Sequence, residues 1–256
     1  ASAVLVGTPR GKKEVERFYG VAEENIYVIP FAIPDDVVEF DTRCGVSMVS
    51  PLREGERYLL YPAQFWPHKN HVGLLDAVAA LERNGENQFE SLVLVGADKG
   101  NLEYVKDYAN SLNLKTTIHF LGFIDREALL QLYSRALLLV FPSFFGPDNL
   151  PPLEGLGLGC PVCVADVPGA RQQLGDLAWY FDPANPGDIA DQLQLVLAMT
   201  PEEREKRVAL GMASSTNLTE KNYFEAVNAV LDELTPKVRC WQAGYSQTNR
   251  QKLNTQ

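Results

Sequence analysis

Short apolar runs alternate along this chain with stretches whose apolar positions recur every three to four residues. The runs fall at residues 3–6, 26–29, 58–61, 92–95, 117–120, 137–141, 161–165 and 179–181. Most lack the apolar–polar alternation of a half-exposed strand, the pattern of parallel strands covered by helices on both faces. Between them, Leu102, Val105, Ala109 and Leu112 mark one face of a helix, and Leu129, Leu132, Tyr133 and Ala136 mark another. A further helix is expected from about residue 70, and three more over 187–198, 202–214 and 220–234. Strands alternating with helical patterns predict an α/β fold, a doubly wound, Rossmann-like parallel sheet. No 20–50-residue period repeats, which excludes a solenoid.

Residues 30–56 break the alternation, with Pro30, Pro34 and Pro51, many polar residues and no sustained period. They read as a linker between a terminal β-α-β piece (1–29) and a main domain (57–218), whose six candidate strands suffice for one sheet. Residues 219–256 read as a C-terminal helix and a basic tail, which carries Lys237, Arg239, Arg250 and Lys252 and no acidic residue. The chain opens in a strand, without an initiator Met or the basic start of a signal peptide, so it is expected to be a piece of something longer.

Composition narrows the class. The 256 residues are 46% hydrophobic and 22% charged, as in an ordinary globular protein. A formal charge of −10 argues against a general nucleic-acid binder. The longest apolar run, residues 136–141, is far short of the roughly 20 residues that span a bilayer. Four cysteines are too few for a disulfide scaffold of this length.

Ligands of open parallel sheets bind beyond the carboxyl ends of the strands. Three loops there have unusual composition: YPAQFWPHKNH after residues 58–61, the 96–100 turn, and PSFFGPDNLPPLEGLGLGCPV after 137–141. In the last, Pro151 and Pro152 fit only the first positions of a helix, which puts Glu154 in its first turn. The free N–H groups of such a helix start favour an anion. A carboxylate one turn inside would repel a phosphate but could accept from both hydroxyls of a vicinal diol such as a ribose. It could equally be a first-turn Glu favoured by the helix dipole. His68 and His71 invite a metal reading but lack a third ligand nearby. Cys160 and Cys163 flank the start of a buried strand and read as core residues. Gly96 and Gly100 do not make a dinucleotide-binding fingerprint.

These segments carry a resemblance. SRALLLVFPSFFGPDNLPPLEGLGLGCPVCVADVPGARQQLGDLAWYFDP is similar over its whole length to the donor-site signature of the family 4 glycosyltransferases, retaining enzymes of the GT-B fold. HFLGFIDREALLQLYSRA and LVLVGADKG fit the segments that precede it, and VGTPRGKKEVERFYGVAEENIYVIPFAI resembles the last β-α-β of the first lobe running into the interlobe linker. The FGPDNLPPLE variant resembles enzymes of bacterial surface-polysaccharide assembly, lipopolysaccharide included. The resemblance implies the C-terminal, nucleotide-sugar-binding lobe, with the N-terminal lobe mostly missing.

It also implies roles. Lys69 matches the basic residue that meets the donor diphosphate, and Glu154 matches the second Glu of the Glu–seven residues–Glu motif, which holds the ribose hydroxyls. Gln64 stands where an Arg is usual. Gly146 stands where the first Glu usually contacts the donor sugar, with Asp148 as the alternative carboxylate. Asn149 and Leu150 sit where backbone N–H groups face sugar and phosphate. Phe123 and Ile124 match the base-reading region, His68 is placed to touch sugar or phosphate, and Gln172 stands where many members have a Glu.

The expected activity is transfer of a sugar, with retention, from a UDP- or GDP-linked donor to a carbohydrate or lipid-linked acceptor. No metal or other cofactor is expected, and the location is expected to be cytoplasmic with at most peripheral membrane contact. A fragment that only binds nucleotide sugar and a GT-B sugar-nucleotide epimerase are the alternatives. The C-terminal helix is expected to cross back to the first lobe, with Trp241 and Tyr245 as packing anchors.

Overall fold

A computed structural model describes residues 2–40, 49–146 and 149–253, with backbone only at 237, 238 and from 241 onward. The elements run β1 (Val4–Val6), α1 (Pro9–Tyr19), β2 (Ile26–Val28), α2 (Asp35–Glu39), β3 (Tyr58–Pro62), α3 (His71–Asn84), β4 (Ser91–Val95), α4 (Leu102–Ser111) and β5 (Thr117–Gly122). They continue with α5 (Arg126–Arg135), β6 (Leu138–Phe141), α6 (Leu150–Gly157), β7 (Val162–Ala165), α7 (Ala170–Leu174), β8 (Trp179–Phe181), α8 (Pro186–Leu197), α9 (Pro201–Ser215) and α10 (Glu220–Leu253).

All eight expected strands form, each within two residues of the expected bounds. Six make one parallel sheet in the order β5-β4-β3-β6-β7-β8. Every residue of β3, β4, β6 and β7 is buried, which explains why these strands show no polar alternation. Each fully buried Leu, Val or Phe contributes roughly 1.5–3 kcal/mol. Two buried tyrosines of β3 are partnered within the core: Tyr58 donates its hydroxyl to the Leu132 carbonyl at 2.8 Å and Tyr61 to the Lys69 carbonyl at 2.6 Å.

β1 and β2 pair separately, as a two-stranded parallel sheet. α1 between them is capped by Thr8, whose hydroxyl accepts from the Gly11 N–H, and it stops at Gly20 in the left-handed conformation (φ 63°). A small core of Ile29, Val230 and Leu234, with Ala3, Tyr27, Tyr223, Ala226 and Val227 around it, fixes α10 to this unit. The C-terminal helix therefore packs on the β1–β2 unit over 220–234, and the Tyr27 hydroxyl donates to Glu233 at 2.9 Å. The side chains of Trp241 and Tyr245 lie outside the described residues.

Two elements differ from the sequence reading. The 30–56 segment contains a helix, α2, started by Pro34 and the acidic pair Asp35–Asp36. α10 continues through Pro236 to Leu253 rather than ending near residue 234. A proline inside a helix removes only its own N–H bond and strains one carbonyl, and the good helix formers around it carry the helix on.

Candidate functional site

The strand order reverses between β3 and β6, and the crevice beyond the carboxyl ends of such a pair is where open α/β sheets bind ligands. The loops leaving these two strands are tied together. The Phe144 N–H donates to the His68 carbonyl at 3.0 Å, and Asn70 donates its side-chain amide to the carbonyls of Pro142 and Pro183 at 3.2 and 2.8 Å. Sheet pairing also continues past the strand ends: Ala63 N–H bonds the Val95 carbonyl and Phe65 N–H the Ala97 carbonyl. Gly96 permits that approach, since a Cβ there would lie 2.2 Å from the Ala63 oxygen and its φ is +155°. The β3 loop thus leaves in a fixed direction.

That loop places Lys69 across the crevice. Its Nζ lies 5.1 Å from the ring centre of Phe141, the last residue of β6. Burial lowers its pKa from the usual 10.5, and among the described residues no carboxylate pairs with it. His68 stacks on Phe145 at 4.3 Å and 24° beside Trp66. Burial, aided by the Lys69 charge, lowers its pKa from the usual 6.5. Gln64 is exposed, and its side-chain oxygen accepts from the Trp66 indole at 3.0 Å. His71 points the other way, stacked on Phe65 at 4.4 Å with neither ring nitrogen hydrogen-bonded. Burial pushes it down to about 3, and among the described residues no three or more His, Cys, Asp or Glu side chains form a group that could hold a metal ion.

Three features of the β6 loop bear on the expected site. Gly146 has φ +133°, where any side chain is strained, and a Cβ there would lie 2.7 Å from the Asn149 side-chain oxygen, which would have to shift. The Asn149 N–H is not free for a ligand: it donates to Gln173 Oε1 at 3.2 Å, while Gln173 Nε2 donates back to the Asn149 carbonyl at 3.1 Å. Pro151 and Pro152 fall at the second and third positions of α6 and carry no N–H, which leaves Leu150 as the N–H of that turn. Leu150 itself is partly exposed, and Asp148 lies outside the described residues.

Glu154 sits just past the first turn of α6, not within it, and is 7% exposed. Its Oε1 accepts from Arg126 Nη1 at 2.8 Å and its Oε2 from the Tyr133 hydroxyl at 2.9 Å. Side-chain partners, rather than the dipole alone, account for a buried carboxylate here. Arg126 also grips Asp36 through Nε and Nη2, at 2.8 Å each. Sequence reasoning missed Arg126, Tyr133 and Asp36 as site residues. The seven-residue spacing of Arg126 and Tyr133 puts both on one helix face and was the available signal; nothing local pointed to Asp36. Beyond β5, Phe123 is 87% exposed, whereas Ile124 packs partly against the core.

The remaining motif residues are structural. Asp98 Oδ1 accepts from the N–H groups of Gly100, Asn101 and Leu102 and starts α4. Cys160 and Cys163 are fully buried, and burial pushes both thiols up, Cys160 to about 12. Gln172 accepts the Arg10 N–H at 3.0 Å, tying the first turn of α1 to α7. A cleft of about 480 Å³ lies beside it, lined by Thr8, Phe31, Gln172 and Asn217 among others. No helix among the described residues is long and apolar enough to cross a membrane.

A doubly wound sheet with a cationic loop and a carboxylate-bearing helix at its switch point belongs to the class of open α/β proteins that bind ligands beyond the carboxyl ends of their strands. Residues 46–213 match the family described as glycosyl transferases group 1, and the chain belongs to it. It is 24% identical over 223 residues to the O-antigen chain mannosyltransferase B of Escherichia coli, covering 87% of this chain and 58% of the relative. It is 23% identical over 194 residues to the serotype-specific mannosyltransferase WbdA of Escherichia coli, covering 75% of this chain and 23% of the relative. The solved structure of Anabaena Alr3699/HepE in complex with UDP-glucose superposes with a TM-score of 0.69 at 19% identity, over 92% of this chain and 64% of that one. The chain thus spans less than two thirds of the length of each.

Proposed function

We propose that the chain is the donor-binding lobe of a retaining glycosyltransferase of bacterial surface-polysaccharide assembly. It takes a hexose from a nucleoside-diphosphate sugar for delivery to a carbohydrate or lipid-linked acceptor. The observation that carries this reading is Lys69, a half-buried ammonium without a carboxylate partner among the described residues, at the β3/β6 switch point. Desolvation without a counter-charge is a cost that a bound anion removes. The relatives named as mannosyltransferases make a mannosyl donor the first to test, and HepE's UDP-glucose the second.

In this reading Lys69 neutralises charge that develops on the leaving diphosphate, where a preorganised cation in a poorly solvated site is worth most. The start of α6 contributes little, because its prolines and the Asn149–Gln173 pair leave few donors. Glu154 holds the ribose, and Phe123 with Ile124 borders the base. No metal takes part, and no side chain forms a covalent intermediate. Beside the six-stranded sheet the chain carries one further β-α-β unit, and on its own it binds donor weakly and transfers nothing measurable. The enzyme acts in the cytoplasm, with at most peripheral membrane contact.

Calorimetry with UDP, GDP, UDP-glucose and GDP-mannose tests the reading. A diphosphate should bind at micromolar to millimolar level, unchanged by EDTA. Lys69→Ala should weaken it at least tenfold, as for about 1.5–3 kcal/mol in a charged hydrogen bond, and leave the nucleoside unaffected. Equal binding by the variant, or a strict divalent-cation requirement, contradicts it.

A further inference from the structure

Arg126 opens α5, and its guanidinium joins three segments that are distant in the chain. One edge of the fork is fixed by Asp36 of α2, with Nε on Oδ2 and Nη2 on Oδ1. The remaining Nη1 donates to Glu154 Oε1 on α6, while Tyr133, two turns further along α5, donates to Oε2. A guanidinium is planar and its N–H directions are fixed, so a carboxylate held on one edge sets where the other N–H points. Glu154 is otherwise enclosed, with 9% of its side chain exposed. A carboxylate in that setting keeps one orientation only while donors hold it. Its oxygens offer about four lone-pair sites in all. Arg126 and Tyr133 occupy one on each oxygen and leave one on each, which suits two neighbouring hydroxyls.

We propose that Arg126 is a positioning residue for donor binding, holding the Glu154 carboxylate in one orientation and aimed at the ribose diol, and that Asp36 makes this dependent on the docking of α2. The inference rests on the reading of Glu154 as the ribose-holding carboxylate. Asp36 lies in the segment between the two sheets, so a displacement of that segment would release Arg126 and loosen the donor carboxylate without touching the ligand.

The test compares the affinity of the full 256-residue chain for a nucleoside diphosphate with that for its 2′,3′-dideoxy counterpart. Wild type should prefer the ribose form. Arg126→Gln should lose about tenfold or more on the ribose form, as expected for a charged hydrogen bond, and less than about twofold on the dideoxy form. Arg126→Lys should recover part of the loss. Asp36→Asn leaves the Arg126–Glu154 pair in place and should lose about three- to fivefold on the ribose form alone; it carries the test if Arg126→Gln does not fold. Equal losses on both ligands, or none in either variant, overturn the inference while leaving the Glu154 reading intact. A wild type blind to the ribose hydroxyls overturns the Glu154 reading, and the inference with it.

Discussion

The two parallel sheets of this chain are built alike and finished differently. β3, β4, β6 and β7 are buried at every residue, whereas β1 and β2 expose Leu5 and Val28, and the helix between them exposes Phe18 and Tyr19 at 69% and 80%. The same β-α-β chemistry thus gives a complete core in one place and a thin one in the other. What covers the smaller sheet is α10, returning from the far end of the chain. The candidate donor residues all stand on or beside the complete sheet, where packing sets their directions. The smaller unit lines part of the cleft of about 480 Å³ and makes a docking contact at Gln172.

If the comparison is right, truncation should act globally in one sheet and locally in the other. Leu60→Ala should cost about 2–5 kcal/mol and lower hydrogen-exchange protection across the six-stranded sheet. Val230→Ala should cost less and raise exchange mainly in β1, β2 and α10. Matching global losses would merge the two units into one core.

Glycines sharpen the contrast. Gly96→Ala forces a Cβ against the Ala63 carbonyl at a strained φ and should cost about 2–3 kcal/mol, read by urea unfolding, with weaker diphosphate binding as the β3 loop shifts. Gly20→Ala, at φ +63° with open space around it, should cost about 1 kcal/mol.

The acid limb of stability belongs to the larger sheet. Burial alone would raise the Glu56 carboxyl from its ordinary 4.5, but hydrogen bonds led by the Arg53 N–H outweigh it and hold it at about 2. His119 adds a contact at 3.2 Å. Because the folded value is the lower one, the stabilisation is complete above about pH 4.5 and is lost as pH falls through about 2. Glu56→Gln should flatten the pH dependence of unfolding in that window, and an unchanged acid limb would assign it to other carboxylates. The smallest effect is expected at the open face: Phe18→Ser and Tyr19→Ser should each change stability by less than about 0.5 kcal/mol.

Strands were legible because burial on both faces leaves an unbroken apolar run, which needs no knowledge of the neighbours. α2 was not, since a five-residue helix among prolines has no period to detect and gains its place from Arg126. The family resemblance pointed to Lys69 and Glu154, but the partners of Glu154 come from α5, and the further hold on Arg126 comes from α2; only folding brings these together. The loss of a Glu at 146 was visible as a glycine. Its reason, a backbone at positive φ with the Asn149 side chain filling the space, belongs to the folded loop.

The most direct measurement is a crystal structure of this chain grown with a nucleoside diphosphate. The account predicts the diphosphate within hydrogen-bond distance of Lys69 Nζ and both ribose hydroxyls on Glu154, beyond the ends of β3 and β6. A nucleotide seated instead in the cleft of about 480 Å³ between Thr8 and Asn217, with Lys69 and Glu154 untouched, would contradict it.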